Sequence, residues 1–568
     1  MKKNIFIKGL GALLIAGGIS SCSSDYLSTK PETDIPTEDV TTDVNSMKSA
    51  TLGLIGTMYR QYSGLYDYRW FNGEPWISMY YGEVPGSDYI CYFWINSHRS
   101  VVNWESMSDF NTWATDIGWA YCYGIVGMAN TLIAGTDNED AMKDASMQFY
   151  RAQCLTMRAH AYTRLLQIYG PRWADSNNGQ KLCLPLRVTP ADTNTDAPCP
   201  LSSMGAVLDQ IYADLDEAIS LYQSCGVSRT TYQEPDLDVA RGLYARAALL
   251  KNDYQTAQKM AHDARQGYPL MSNEEYLSGF ADANGEWMWA SQDSPAGIYY
   301  ASFGATYACN GAYPTLWGSI GAGAIDIKLY NQMDRRDIRR QLYFTPDKGG
   351  MFAGKADFWN SANIVSGSLS VNKGVLTRPL QDFCTKMYNQ IGAAQGWNLP
   401  YTNPSTGTVN GIVAQFGAQF KFWGKDNYSS SMFPYMRGAE MMLIEAEAAY
   451  CNGDEGTALA IINQINGTRV EKYKESTASG EELLDLIKFT RRVELWGEGF
   501  CWFDLKRWGD PLVREAWVEG DTDSGNWDAA MAFEYTPESH NGWRVVIPNT
   551  ELRYNKAINL TDLDYATE

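Results

Sequence analysis

Apolar and small residues recur every three or four positions in two blocks of this chain, and the rhythm fades between them. Over 146–170, SMQFYRAQCLTMRAHAYTRLLQIYG, residues Met157, Ala161, Leu165 and Ile168 share one face. That spacing predicts a long helix, stopped by Gly170-Pro171. A second helix is expected near 203–224, with Leu208, Ile211, Leu215, Ala218 and Tyr222 on its apolar face. Residues 237–265, LDVARGLYARAALLKNDYQTAQKMAHDAR, predict two helices joined by a turn at Asn252-Asp253. Residues 438–469, GAEMMLIEAEAAYCNGDEGTALAIINQINGTR, predict another pair, turning at Asn452-Gly453. Both pairs carry alanines on the first helix, a short polar turn, then alanine on the second. Small residues so placed let helices approach closely, the logic of tetratricopeptide-type hairpins; two unrelated alanine-rich hairpins would look the same.

Residues 270–435 have another texture, rich in Gly, Ser, Asn, Tyr and Trp and weak in helical period. Long irregular segments in an ordered chain usually carry function, and this one has too many aromatics for a disordered segment. A shorter stretch of similar texture covers 62–100.

The first residues change the picture of where the chain sits. Met1-Lys2-Lys3 and a short apolar run read as a secretory signal peptide. The run, broken by Lys8 and glycines, falls short of the roughly 20 residues a membrane span needs. It ends Ile19-Ser20-Ser21-Cys22, which resembles the bacterial lipobox. Residues 1–21 are then a signal peptide, Cys22 the acylated first residue that anchors the chain in a lipid bilayer, and 22–44 a Ser/Thr/Pro/Asp-rich tether. Residues 45–568 form one domain, with a helical scaffold at about 45–270 and 436–568 and a loop-rich part at about 271–435.

A formal net charge of -20 argues against nucleic acid as partner. None of the 11 cysteines forms Cys-x-x-Cys and the 4 histidines are scattered, so no His/Cys metal site is expected. Aromatic residues make up 13%, with 19 Trp and 36 Tyr, rings that bury an apolar body while keeping a polar handle.

Residues 487–511, IKFTRRVELWGEGFCWFDLKRWGDP, resemble the C-terminal signature of the SusD/RagB family. RAHAYTRLLQIYGPRW (158–173), RGAEMMLIEAEAAY (437–450), INQINGTR (462–469) and VVIPNTELRYNKAINL (545–560) are similar to other family stretches, in the family's order. The resemblance implies a mainly α fold: a tetratricopeptide-like helical-pair scaffold with a large irregular ligand-binding part. It implies an outer-membrane, cell-surface lipoprotein of Bacteroidetes, without cofactor or catalysis. Such proteins bind oligosaccharides, or peptides in some members, and cap a SusC-like TonB-dependent transporter as a hinged lid.

Sugar recognition needs flat apolar faces for C–H surfaces and polar side chains for hydroxyls. The aromatic stretches supply both, through Asp67 and Trp94 in the first and Trp287, Tyr307 and Trp317 in the second, with Arg378 following. Taken singly, each ring is better read as core; taken together, clusters this dense in loops of this length favour a ligand site. Asp43 and Asn45 could accept sugar hydroxyls or cap a helix; Cys309 could line the site or pack. A surface endo-glycosidase is the alternative of another class, and would need paired carboxylates such as Glu445 with Glu447 or Glu494 with Glu498. Glu494 and Glu498, one helical turn apart beside Arg491 and Arg492, are explained more simply by structural ion pairing. DTDSGNWD (521–528) alternates oxygen ligands, but its glycine is misplaced for a calcium loop.

Overall fold

The computed structural model describes residues 43–59, 71, 73–91, 100–192, 198–292, 303, 307–309, 319–320, 323–344, 413–414, 417–425, 430–518, 521, 523–527, 529–536, 543–563 and 565. Both rhythmic blocks are helical. The first holds α1 (Val44–Gly56), α2 (Trp113–Gly135), α3 (Ala145–Tyr169), α4 (Met204–Cys225), α5 (Leu237–Leu250) and α6 (Tyr254–Ala264). The second holds α7 (Gly438–Cys451), α8 (Glu455–Arg469), α9 (Gly480–Glu494) and α10 (Cys501–Trp508). Local chemistry sets the starts: Asp43, Asp144, Ser203, Asp236, Asp253 and Asp454 each accept a first-turn N–H, worth about 1 kcal/mol per cap.

The two predicted hairpins close with the same turn. Asn252 and Gly453 occupy equivalent left-handed positions, φ 57° and 82°. The next N–H reaches back to Ala248 over 2.9 Å in one hairpin and to Ala449 over 2.8 Å in the other. Asp253 and Asp454 then cap the second helices. Ala247, Ala248, Ala257 and Ala261 are fully buried, as are Ala446, Ala449 and Ala458, so the alanines mark close helix contacts in both. The helices stack in chain order, α2 on α3 on α4 on α5 on α6, and α6 then packs on α7.

The expected single apolar face holds for α4 but not for α3. Helix α3 is buried almost all round, including Arg151, Arg158, His160 and Arg164, because α1, α2 and α4 all pack against it. Its buried charges are tolerated because they are paired. Arg158 meets Asp214 at 2.6 Å, and Arg164 meets Glu74 at 2.7 Å.

Between α6 and α7 the described residues make short strands, turns and short helices, and one further strand, β1 (Tyr89–Cys91), comes from the chain between α1 and α2. Strands β1 (Tyr89–Cys91), β3 (Gly323–Ile325), β4 (Tyr343–Phe344) and β5 (Ala418–Gln419) form one antiparallel sheet in the order β1-β3-β5-β4. Strands β2 (Trp287–Ala290) and β6 (Pro434–Arg437) pair antiparallel, and β6 runs straight into α7. Gly438 at that junction has no room for a side chain, since a Cβ would overlap the Tyr268 carbonyl. Buried side chains of this irregular part and of most helices belong to one hydrophobic cluster, and contacts among α7, α8 and α9 make a second, smaller one.

Candidate functional site

The signature segment shapes the centre of the molecule. After α9 the chain turns through Gly497 and Gly499, both at positive φ (76° and 90°). Successive amides of such a turn point inward and form an anion-binding nest. Glu83 fills it, accepting from the N–H groups of Gly497 (3.0 Å), Gly499 (2.9 Å) and Phe500 (3.2 Å). Glu83 ends a π-helical turn, Ser78–Glu83, that is wholly buried. Gly82 in that turn lies so close to the Gly499 carbonyl that any Cβ would clash. The Gly-Glu-Gly of the signature is thus a dock for the 73–91 segment.

The middle residue of that motif, Glu498, faces the other way. It meets Lys421 at 2.6 Å and Arg437 at 2.7 Å. Arg437 also reaches Glu286 and Glu494, and Glu494 takes Arg339 and Arg469. All of these side chains are buried. Burial alone would raise the Glu494 carboxyl, but Arg469, Arg437 and Arg339 outweigh it and hold it below the carboxylate range. Glu498 follows the same logic, with Arg437 and Lys421 outweighing burial. The expected ion pairing is therefore present with other partners: Arg491 goes to Asp504 and Arg492 to Asp88. Helix α9 ends at Glu494, so Glu498 lies beyond it rather than one turn along. Glu445 and Glu447 are likewise engaged, the first by His262 and Arg265, the second by Arg507 and the Trp508 indole. These four carboxylates are thus engaged by cations in this arrangement, as structural ion pairs.

The candidate ligand residues separate into two groups. Cys22, Asp67, Trp94, Trp317 and Arg378 lie outside the described residues. The others are placed as follows. Asp43 caps α1, accepting from the N–H groups of Asn45 (2.9 Å) and Ser46 (3.1 Å), and both Asp43 and Asn45 are exposed. Trp287 is buried on β2 against Phe280, and among the described residues its indole N–H has no hydrogen-bond partner. Tyr307 packs among Trp76, Tyr89 and Phe303. Cys309 is buried and its N–H donates to the Phe422 carbonyl over 2.8 Å. Trp287, Tyr307 and Cys309 thus present no side-chain surface to a ligand in this arrangement. Their burial accounts for them as packing, because ring faces already covered by other rings cannot stack on a sugar. Among the described residues no group of His, Cys, Asp and Glu is arranged to hold a metal ion. In the 521–528 stretch the Asp521 carboxylate accepts the N–H of Asp523 over 2.9 Å, a local turn contact.

Sequence reasoning passed over Glu83 and Glu74, which together with Asp88 tie the 73–91 segment to the scaffold. Glu74 is fully buried between Arg164, His160 and the Tyr121 hydroxyl. Burial raises its carboxyl, but Arg164 and His160 outweigh that and bring it down to about 2. The only sequence signal for Glu83 was the Gly-Glu-Gly motif, whose two glycines imply a turn with inward amides and hence an acceptor elsewhere.

A helical-pair scaffold with an irregular insert, closed by a nest-forming signature, defines a family. The model described as the SusD family matches residues 248–560, and one described as starch-binding, associating with outer membrane, matches residues 25–249. The chain belongs to the SusD family. A "SusD-like protein" of Bacteroides ovatus is 22% identical over 533 residues, covering 89% of this chain and 83% of that one. Among solved structures, a SusD-like carbohydrate binding protein from Bacteroides vulgatus aligns with TM-score 0.65 at 19% identity, covering 92% of this chain and 98% of that one. A SusD superfamily protein from Bacteroides thetaiotaomicron aligns with TM-score 0.64 at 18% identity, covering 91% and 99%. At these identities the structural matches establish the fold.

Proposed function

We propose that this protein is a carbohydrate-binding lipoprotein of the outer membrane that captures oligosaccharides at the cell surface. It passes them to a SusC-like TonB-dependent transporter, which it covers as a lid. It does so by binding, without catalysis or cofactor. The observation that carries this reading is the family match over 248–560, joined to the amino-terminal match to a starch-binding, outer-membrane-associating model. The Ile19-Ser20-Ser21-Cys22 sequence supports acylation at Cys22. The aromatic-rich stretches support sugar as ligand, with Asp67, Trp94, Trp317 and Arg378 as the candidate contacts and exposed Asp43 and Asn45 beside the tether. The test has two parts. The soluble domain, from residue 43 onward, is run through affinity gels containing fructan, starch-like glucan or host glycan. Retardation by one of them, with no new reducing ends after prolonged incubation, is the expected result. Retardation by none, with binding to peptides instead, would move the ligand class to peptide. Second, the full-length protein is purified from detergent-solubilised outer membranes. A TonB-dependent transporter should copurify, and its absence would remove the lid role.

A further inference from the structure

We propose that Tyr232, in the loop between α4 and α5, is a glycan-stacking platform on the helical scaffold, apart from the aromatic stretches. That its ligand is a sugar rests on the proposed function. Among the described residues only Tyr232 and Tyr554 leave a large ring exposed, at 36% and 66%. A single exposed ring is ordinary on a protein surface, so exposure does not distinguish the two. How each is held does. Tyr554 ends a short helix, Asn549–Tyr554, and its side chain makes no hydrogen bond or ring contact among the described residues. Tyr232 is fixed from several directions.

Its main-chain carbonyl accepts the Ala290 N–H of β2 over 3.1 Å, and its hydroxyl donates to the Asn284 carbonyl over 3.4 Å. The Arg229 guanidinium lies over the ring, 5.6 Å from its centroid. Arg229 is itself engaged on every side. Its Nε–H donates to Asp236 over 2.9 Å, one terminal nitrogen donates to the carbonyls of Met288 and Glu234, and the other to the Tyr268 hydroxyl over 3.1 Å. The loop is pinned again on either side of Tyr232. Glu234 accepts from the hydroxyls of Thr230 (2.7 Å) and Thr231 (3.1 Å), and the Trp289 indole donates to the Gln233 carbonyl over 2.8 Å. Glu234 and Trp289 are buried. The ring is thus ordered on folding, and stacking a ligand on it costs little further side-chain freedom.

A tyrosine face offers an apolar surface for the C–H groups of a sugar ring, and the hydroxyls around that ring need polar or charged partners. The Tyr268 hydroxyl accepts from Arg229, and its own O–H has no acceptor among the described residues. Asp282, two residues before Asn284, has a side chain more than half exposed and pairs with Lys425 over 2.6 Å. Asp238 and Arg241, near the start of α5, pair over 2.9 Å and are partly exposed. Strand β2 pairs with β6, which runs into α7, so the platform is tied to the frame through its Ala290 bond. Two separate contacts on one polysaccharide raise its retention beyond either alone. The platform therefore extends capture along the polymer.

A 3-fluorotyrosine placed at position 232 of the soluble domain reads the site directly by fluorine NMR. Oligosaccharides of inulin, amylopectin and mucin are titrated against it, and the same polymers are cast into native affinity gels. The signal from position 232 should shift with fragments of one polymer. Tyr232→Ala should be retarded at least about threefold less by that polymer, with an unchanged melt, while Tyr232→Phe, which keeps the ring, should match wild type. A label silent with all three sugars, or full retardation of Tyr232→Ala, overturns the platform. Should the Ala variant fail to fold, the label alone decides. Wild type judges the proposed function separately. Its retardation beside a silent label removes the platform and keeps the function, whereas no retardation and a silent label remove both.

Discussion

The indole N–H of Trp496 donates to the main-chain carbonyl of Asp88 over 2.8 Å, and its ring stacks on Tyr89 at 5.0 Å. Tyr343 also meets it edge-on at 5.1 Å. One side chain thus joins the signature to two strands of the sheet. Trp496→Ala should cost about 3–5 kcal/mol of stability, from lost burial and the cavity left behind. Denaturant unfolding measures this, and material that remains folded should still bind glycan. A variant as stable as wild type but unable to bind would transfer Trp496 from scaffold to ligand site.

Arg437 bridges Glu286, Glu494 and Glu498. Arg437→Met leaves these carboxylates short of a buried cation and should destabilise by about 3–5 kcal/mol. Arg437→Lys should recover little, because one ammonium cannot reproduce the guanidinium fork. Equal denaturation midpoints for wild type and the Lys variant would contradict this.

Glu74 is held down at about 2, from an ordinary 4.5, by Arg164 and His160 against the pull of burial. A carboxyl depressed in the folded state adds stability that is present above the unfolded value and lost as pH falls through the folded one. Between about pH 4.5 and 2 the protein should lose stability on the order of 3 kcal/mol through this group. Glu74→Gln should flatten that part of the curve while lowering stability near neutrality. Parallel acid-unfolding curves for the two proteins would count against it.

Cys22→Ala should abolish acylation and release the protein from the membrane fraction. The motive is the Ile19-Ser20-Ser21-Cys22 box. Metabolic fatty-acid labelling reads the result directly, and undiminished label in the variant rejects the assignment.

Trp94→Ala should weaken oligosaccharide binding by at least about tenfold, roughly 1.4 kcal/mol, with the thermal melt nearly unchanged. Its neighbours Asp88 and Asn96 frame a short stretch between Gly86-Ser87 and Ser97. Isothermal titration alongside the melt separates the outcomes. A large fall in melting temperature makes Trp94 a core ring, and full binding with an intact melt removes it from the site.

The scaffold was legible because helical period, caps and turns are local. The turns at Asn252-Asp253 and Asn452-Gly453 could be placed from a few residues each. Helix α3 misled because its period reports one face, whereas α1, α2 and α4 together bury almost all of it, and local period does not report how many neighbours a helix has. The partners of Glu494 and Glu498 were hidden for the same reason, since Arg339, Arg437 and Lys421 come from outside the signature. The aromatic stretches were ambiguous by nature. Trp76, Tyr80, Tyr89, Trp287 and Tyr307 are buried, and composition cannot separate a ring that fills a core from one that stacks on a ligand.

Helices α6 and α7 touch, yet the whole irregular part separates them along the chain. Its two ends therefore leave and re-enter the stack at neighbouring points. Closing a long excursion depends only logarithmically on its length, so doubling it would cost about 0.6 kcal/mol. The stack can keep its register while the excursion between α6 and α7 grows or shrinks, so long as the positions that meet the signature, such as Lys421 and Arg437, stay in place.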